Sequence, residues 1–142
     1  MTSGFSAEER AAMKQRAEEL KAMKGVKGAA KKAKEYDACL AAIDALEGTD
    51  RTVAERLHVI VAEEAPHLDA KTWYGFPTYA KDGKTIVFYQ PAAKFGTRYG
   101  SVAFEDHAAL DEGEMWPVAF AVTEMTDEAE RRIRALVRRA AG

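Results

Sequence analysis

The sequence has 142 residues, a hydrophobic content of 47%, and 21 Lys plus Arg against 23 Asp plus Glu, for a formal net charge of -2. A chain of this length fits one domain that buries roughly two thirds of its unfolded surface, so its core requires neither disulfide nor metal. The balanced charge is unlike the strongly basic make-up of a nucleic-acid domain, and apolar runs such as 118–122 are far shorter than the ~20 residues of a membrane span. A single cysteine, Cys39, excludes an internal disulfide, and Glu8, Glu9 and Arg10 stand where a secretory signal would be apolar. The expected setting is the cytoplasm, with no membrane association.

Ser6 followed three residues later by Glu9 is a capping box, and the helix formers after it predict a helix over 7–23. Its narrow apolar stripe of Met13, Ala17, Leu20 and Met23 is expected either to dock lightly or to extend as an arm. Lys21, Lys24, Lys27, Lys31, Lys32 and Lys34 follow without an acid among them, interrupted by Gly25 and Gly28. That stretch reads as a linker, dividing an N-terminal piece over 1–34 from a domain over 35–142. Tyr36, Cys39, Leu40, Ile43 and Leu46 share one apolar stripe, which predicts a helix over 31–47 stopped by Gly48. Asp50 is expected to cap a third helix, in which Val53, Leu57, Ile60 and Val61 repeat at helical spacing before Pro66 ends it.

From Thr72 the period changes to that of strands. Lys81-Asp82-Gly83-Lys84 between the runs 77–80 and 85–90 is a strong hairpin signal. A third strand is expected over 97–104, with Gly96 and Gly100 as bends, then a short helical turn over 106–110 and a fourth strand over 118–123. Asp127 with Glu130 is expected to cap a terminal helix whose Ala129, Ile133, Leu136, Val137 and Ala140 form one apolar face. Short turns rather than crossover helices join the strands. The fold class is therefore α+β, an antiparallel sheet of about four strands with helices packed on it.

The stretch Trp73-Tyr74-Gly75-Phe76-Pro77-Thr78-Tyr79, followed by Asp82-Gly83 and Phe88-Tyr89-Gln90-Pro91, resembles the YdhG-like family of domains of unknown function. Lys94-Phe95-Gly96-Thr97-Arg98-Tyr99, Leu110-Asp111-Glu112-Gly113 and Met115-Trp116-Pro117 extend the resemblance, which covers roughly residues 36–140. It implies a fold similar to frataxin. For some members it implies an intracellular iron-chaperone role, in which surface carboxylates hold iron for delivery to partner proteins.

Among the residues themselves, Glu63, Glu64 and His67, with Asp69 nearby, carry the oxygen and imidazole ligands that suit iron, manganese or zinc. Adjacent glutamates point about 100° apart on a helix, so an exposed acidic helix end is the competing reading. Glu105, Asp106, His107, Asp111, Glu112 and Glu114 form a second acidic cluster, without the spacing of an EF-hand. Trp73, Tyr74, Lys94, Arg98 and Tyr99 combine aromatic surface with positive charge, as a pocket for a small anionic ligand would, although a sheet core needs aromatics in any case. Lys24, Lys27, Lys31, Lys32 and Lys34 suit either phosphate backbone or an acidic protein partner, or serve as a solvated tether. Cys39 lies on an apolar stripe, Ser101 lacks a nucleophile elbow, and no phosphate-binding glycine fingerprint is present, all of which disfavour a familiar hydrolase or nucleotide enzyme. The expectation is a non-enzymatic carrier of a small ligand or metal ion, iron by resemblance. The alternative is a module that docks through its lysine-rich segment on nucleic acid or an acidic protein.

Overall fold

The computed structural model describes residues 6–142 except 24 and 26, and of 22 and 23 the backbone alone. Three helices come first, α1 (Ala7–Met23), α2 (Gly28–Asp44) and α3 (Gly48–Glu64). The strands β1 (Asp69–Trp73), β2 (Phe76–Lys81) and β3 (Lys84–Gln90) follow, then the single turn α4 (Ala92–Phe95). The chain ends with β4 (Gly100–Phe104), β5 (Ala119–Val122) and α5 (Asp127–Ala141). The strands form one antiparallel meander in the order β1-β2-β3-β4-β5. The class is α+β, with five strands in place of about four. The additional strand, β1, is an edge whose Asp-Ala-Lys-Thr-Trp sequence buries only Ala70, so it carries no alternating signal. Among the described residues no helix is long and apolar enough to cross a membrane.

Two tight turns set the register of the first three strands. Asp82 at φ 51° and Gly83 at φ 79° turn the chain between paired Lys81 and Lys84, as the Asp-Gly signal requires. Tyr74 at φ 55° and Gly75 at φ 79° make the same kind of turn between Trp73 and Phe76. A bulky residue in the left-handed region is uncommon, and here it is held from outside, as described below.

One face of the sheet carries the row Ala70, Tyr79, Val87 and Phe104, and beside it Tyr89 and Val102, all buried. Cys39 and Ile43 of α2, Val53, Leu57 and Ile60 of α3, and Ile133 and Val137 of α5 complete that core. Burying a side chain such as Leu57 or Ile60 contributes ~1.5–3 kcal/mol, so these three helices are fixed by apolar area. On the other face Trp73 meets Phe88 edge-on at 5.3 Å, and Phe76 stacks on Phe88 at 5.9 Å, so the sheet covers that side with its own aromatics. Gly100 is required by close approach, because a Cβ there would run into the Tyr89 ring and hydroxyl.

The caps show where local reading succeeds and where packing overrides it. The Ser6 amide donates to Glu9 Oε1 at 2.8 Å and the Glu9 amide to Ser6 Oγ at 3.1 Å, a reciprocal capping box as expected. Asp50 does not cap α3; it lies buried in the first turn, its carboxylate engaged elsewhere in the fold. The cap of α5 is Thr126, whose Oγ1 accepts from the Ala129 amide at 3.1 Å, while Glu130 turns towards Arg56 and Arg134. Helix α2 begins at Gly28, three residues before the expected start at 31 and within the stretch read as linker, and runs unbroken past position 35 to Asp44. The segment 106–110 is a turn, without a helix.

Helix α1 departs from its expected orientation. Met13 is 40% and Leu20 57% exposed, and Ala17 also faces outward. The partly covered residues are Ala12, Gln15, Arg16 and Glu19, a largely polar stripe at spacings of three and four. The helix is seated through polar contacts, and its apolar stripe is left in solvent.

Candidate functional site

Between α1, α2, the Tyr74–Gly75 turn and α4 lies a groove of about 790 Å³. Its floor comes from α2, where Ala38, Ala41, Ala42 and Ala45 recur at helical spacing on one face. Methyl groups in that row leave room that longer side chains would fill, and Leu46 also lines the groove. Lys31, Lys34, Lys71 and Lys94 stand around the rim with Glu18, Glu35 and Glu47. Lys71 pairs with Glu35 at 3.9 Å, and Lys94 lies 5.9 Å from the Phe76 ring centroid.

Two carboxylates within the groove walls are held by defined donors. Glu19 of α1 accepts from the Tyr74 amide at 3.0 Å through Oε1 and from the Gly75 amide at 2.8 Å through Oε2. Arg16, one turn earlier, pairs with Oε1 at 3.5 Å, and the Glu19 side chain is 9% exposed. Successive amides of a tight turn form an anion-binding concavity, which accounts for a carboxylate seated there. Asp50 accepts from Tyr89 Oη at 2.6 Å and from the amides of Ala92 and Ala93 at 2.8 and 3.0 Å. It thereby ties α4, and Lys94 with it, to the start of α3. Burial and the adjacent carboxylate push the Tyr89 phenol well above its ordinary pKa, so the hydroxyl remains a donor.

Of the expected ligand residues, Lys94 lines the groove, while Tyr74 does not line it and donates its amide to Glu19, which does. Trp73 turns to the aromatic face over Phe88. Arg98 stacks on Tyr99 at 5.1 Å, and neither residue lines the groove. The lysine-rich segment is divided. Lys31 and Lys34 border the groove, Lys32 pairs with Asp69 at 3.5 Å, Lys27 precedes α2, and Lys24 lies outside the described residues.

The expected metal ligands are committed to α5. Arg134 pairs with Glu63 at 2.8 Å and Glu64 at 3.0 Å, and Arg138 with Glu64 at 2.6 Å. The two arginines hold the Glu64 carboxyl below its ordinary pKa. His67 Nε2 lies 3.2 Å from the Ala141 carbonyl. Among the described residues no group of three or more His, Cys, Asp or Glu is arranged to hold a metal ion. In the second acidic cluster, Glu112 pairs with Arg139 at 3.3 Å.

A second cavity of about 410 Å³ lies between α2 and α3 and contains a side-chain chain that spacing alone did not single out. His58 Nδ1 is 3.0 Å from Tyr79 Oη, His58 Nε2 is 3.3 Å from Tyr36 Oη, and Cys39 Sγ approaches Tyr79 Oη at 3.9 Å. Burial lowers the His58 pKa, raises the Cys39 thiol, and raises the Tyr79 phenol well above its usual range. All are thereby kept neutral, which makes Cys39 a packing residue and a poor nucleophile. The sequence signal lies in position: His58 directly follows Leu57, at the margin of the buried stripe of α3. Compared with protein-family models, curated proteins and solved structures, the chain matches none.

Proposed function

We propose that this protein binds a small organic anion with an apolar body, as a non-enzymatic carrier or accessory protein of the cytoplasm. The observation that carries this reading is the groove itself, lined by Ala38, Ala41, Ala42 and Ala45 and by both lysines and glutamates, with Lys94 at the Gly75 turn. An apolar chain gains by covering methyl groups, and Lys94, beside Gly75, supplies positive charge for its end, while Glu18, Glu35 and Glu47 offset the other lysines. The carrier role implied by the YdhG-like resemblance is retained, with an organic anion in place of iron. Docking of a macromolecule through the lysine-rich segment is less favoured, because Lys31 and Lys34 face the groove while Lys32 pairs with Asp69 at the other cavity.

Calorimetric titration with dodecanoate tests the reading. Saturable binding is expected, weakened about tenfold by Ala42→Leu, since one branched side chain fills the floor and tenfold corresponds to ~1.4 kcal/mol of lost contact. Leucine is a good helix former, so the melting temperature is expected to stay near that of the wild type. Unchanged affinity in Ala42→Leu, or no dodecanoate binding at all, would overturn the assignment.

A further inference from the structure

The groove contains a carboxylate seat that the protein itself fills. We propose that the Tyr74–Gly75 turn is the carboxylate-binding end of the groove, and that Glu19 is its built-in occupant, displaced together with α1 when a ligand carboxylate takes its place. The inference rests on the groove as a ligand site and adds which atoms bind the charged end and what opens them.

Three independent features converge on this turn. First, the recognition is two-pronged, because each oxygen of Glu19 takes one amide, at 3.0 and 2.8 Å. Hydrogen bonds to an ionised acceptor are the stronger kind, and two fixed donors match the two oxygens of any carboxylate. Second, the turn is shaped to present those amides: Tyr74 and Gly75 adopt left-handed φ values of 55° and 79°, and the side chains of Lys94 and Gln15 lie against Gly75. The same Lys94 brings positive charge to the seat. Third, among the described side chains of α1 none is buried. Its covered stripe is polar and its Met13 and Leu20 are in solvent, whereas α2, α3 and α5 are anchored by buried apolar residues. A helix with no buried side chain among those described, seated by a carboxylate on two amides, is exchangeable for a ligand that supplies the same group and an apolar body besides.

Glu19 competes as a tethered ligand. A group on the same chain as its seat acts at an effective concentration far above that of a dilute free ligand, so a free carboxylate binds only in the fraction of molecules whose seat is vacated. Removing it is expected to tighten carboxylate binding on the order of tenfold. An uncharged ligand of the same chain length does not use the seat and is expected to gain nothing.

The experiment uses the full chain throughout. Dodecanoate and dodecanol are titrated into the wild type, Glu19→Ala, Glu19→Gln and Glu8→Ala. Glu8 is an exposed residue of the same helix that does not line the groove, so it controls for loss of one negative charge. The expected result is tighter dodecanoate binding in Glu19→Ala, a smaller gain in Glu19→Gln, and no change in Glu8→Ala or with dodecanol. Amide exchange over residues 7–21 of the wild type is expected to rise on adding dodecanoate, as α1 leaves its seat. Equal dodecanoate affinity in the wild type and both Glu19 variants would overturn the seat while leaving the groove as a ligand site. An equal gain in Glu8→Ala would reduce the effect to general charge and overturn it as well. Absence of dodecanoate binding in every variant would remove the groove reading, and this inference with it.

Discussion

Replacing Asp50 by alanine removes the acceptor for three hydrogen bonds and makes a quantitative test of how the groove end is built. Tyr89, fully buried, loses the Asp50 acceptor of its hydroxyl at 2.6 Å, and an unsatisfied buried hydroxyl costs ~1–3 kcal/mol. The Ala92 and Ala93 amides lose acceptors at 2.8 and 3.0 Å but lie nearer to solvent, so each is worth ~1 kcal/mol after water replaces the carboxylate. The expected loss is about 4 kcal/mol, or about 12 °C in melting temperature for a chain of this size. Tyr89→Phe deletes the hydroxyl and leaves Asp50 with both amides, at an expected cost of about 1–1.5 kcal/mol. In Asp50→Ala/Tyr89→Phe the buried hydroxyl is no longer orphaned, so the double variant is expected to lose about 1–2 kcal/mol less than the sum of the singles. Urea unfolding followed by circular dichroism measures all three. Strict additivity, or a loss under about 1 kcal/mol in Asp50→Ala, would refute the assignment of Asp50 as the tie between α3 and α4.

Two pH-dependent effects follow from groups on α3 and α5. Arg56, in two hydrogen bonds at 2.8 and 2.9 Å, and Arg134 pull the Glu130 carboxyl down to about 2. Between that value and its ordinary one the unfolded chain binds the extra proton, so the stabilisation is present above about pH 4.5 and is lost as pH falls towards 2. The gap in urea midpoint between wild type and Glu130→Gln is accordingly expected to be open at pH 6 and closed near pH 2; a gap constant with pH would contradict the pairing. For His58, burial disfavours the charged ring and lowers its pKa, so the unfolded state again takes up the proton first. Stability is expected to decline as pH drops below about 6.5, and His58→Gln is expected to flatten that decline. An unchanged slope in the variant would show that His58 does not titrate on unfolding in this range.

What the sequence discloses is governed by how local the deciding interaction is. The Ser6 capping box and the Asp82-Gly83 turn involve neighbours in the chain, and both form as composition and spacing predict. The apolar stripes of α3 and α5 likewise reach the core, because Leu57, Ile60, Ile133 and Val137 all become buried. Asp50 is misleading for the opposite reason: its partners lie 39 to 43 residues away, and three long-range donors outweigh one local cap. Glu130 and Glu64 follow the same rule, drawn to Arg56, Arg134 and Arg138 across α3 and α5. In the groove, Lys94 is visible from its charge beside aromatics, but a floor of alanines carries no chemical signature. The site was hidden because it consists mainly of room.

The position of α1 joins these points physically. An apolar stripe of Met13, Ala17 and Leu20 predicts burial only if a complementary apolar surface is available, and the sheet beside the Tyr74–Gly75 turn is already covered by Trp73, Phe76 and Phe88. What remains at that edge is polar, the amides of Tyr74 and Gly75 and Lys94, so the helix turns its Glu19 side to the domain and accepts from both amides. Charge-assisted hydrogen bonds of this kind contribute ~1.5–3 kcal/mol each, whereas the buried residues of α3 sum to several times that. The helix with the smallest hold thus closes the groove, and the helices with the largest hold form its floor and shape. Such a division lets one wall move while the fold stays intact.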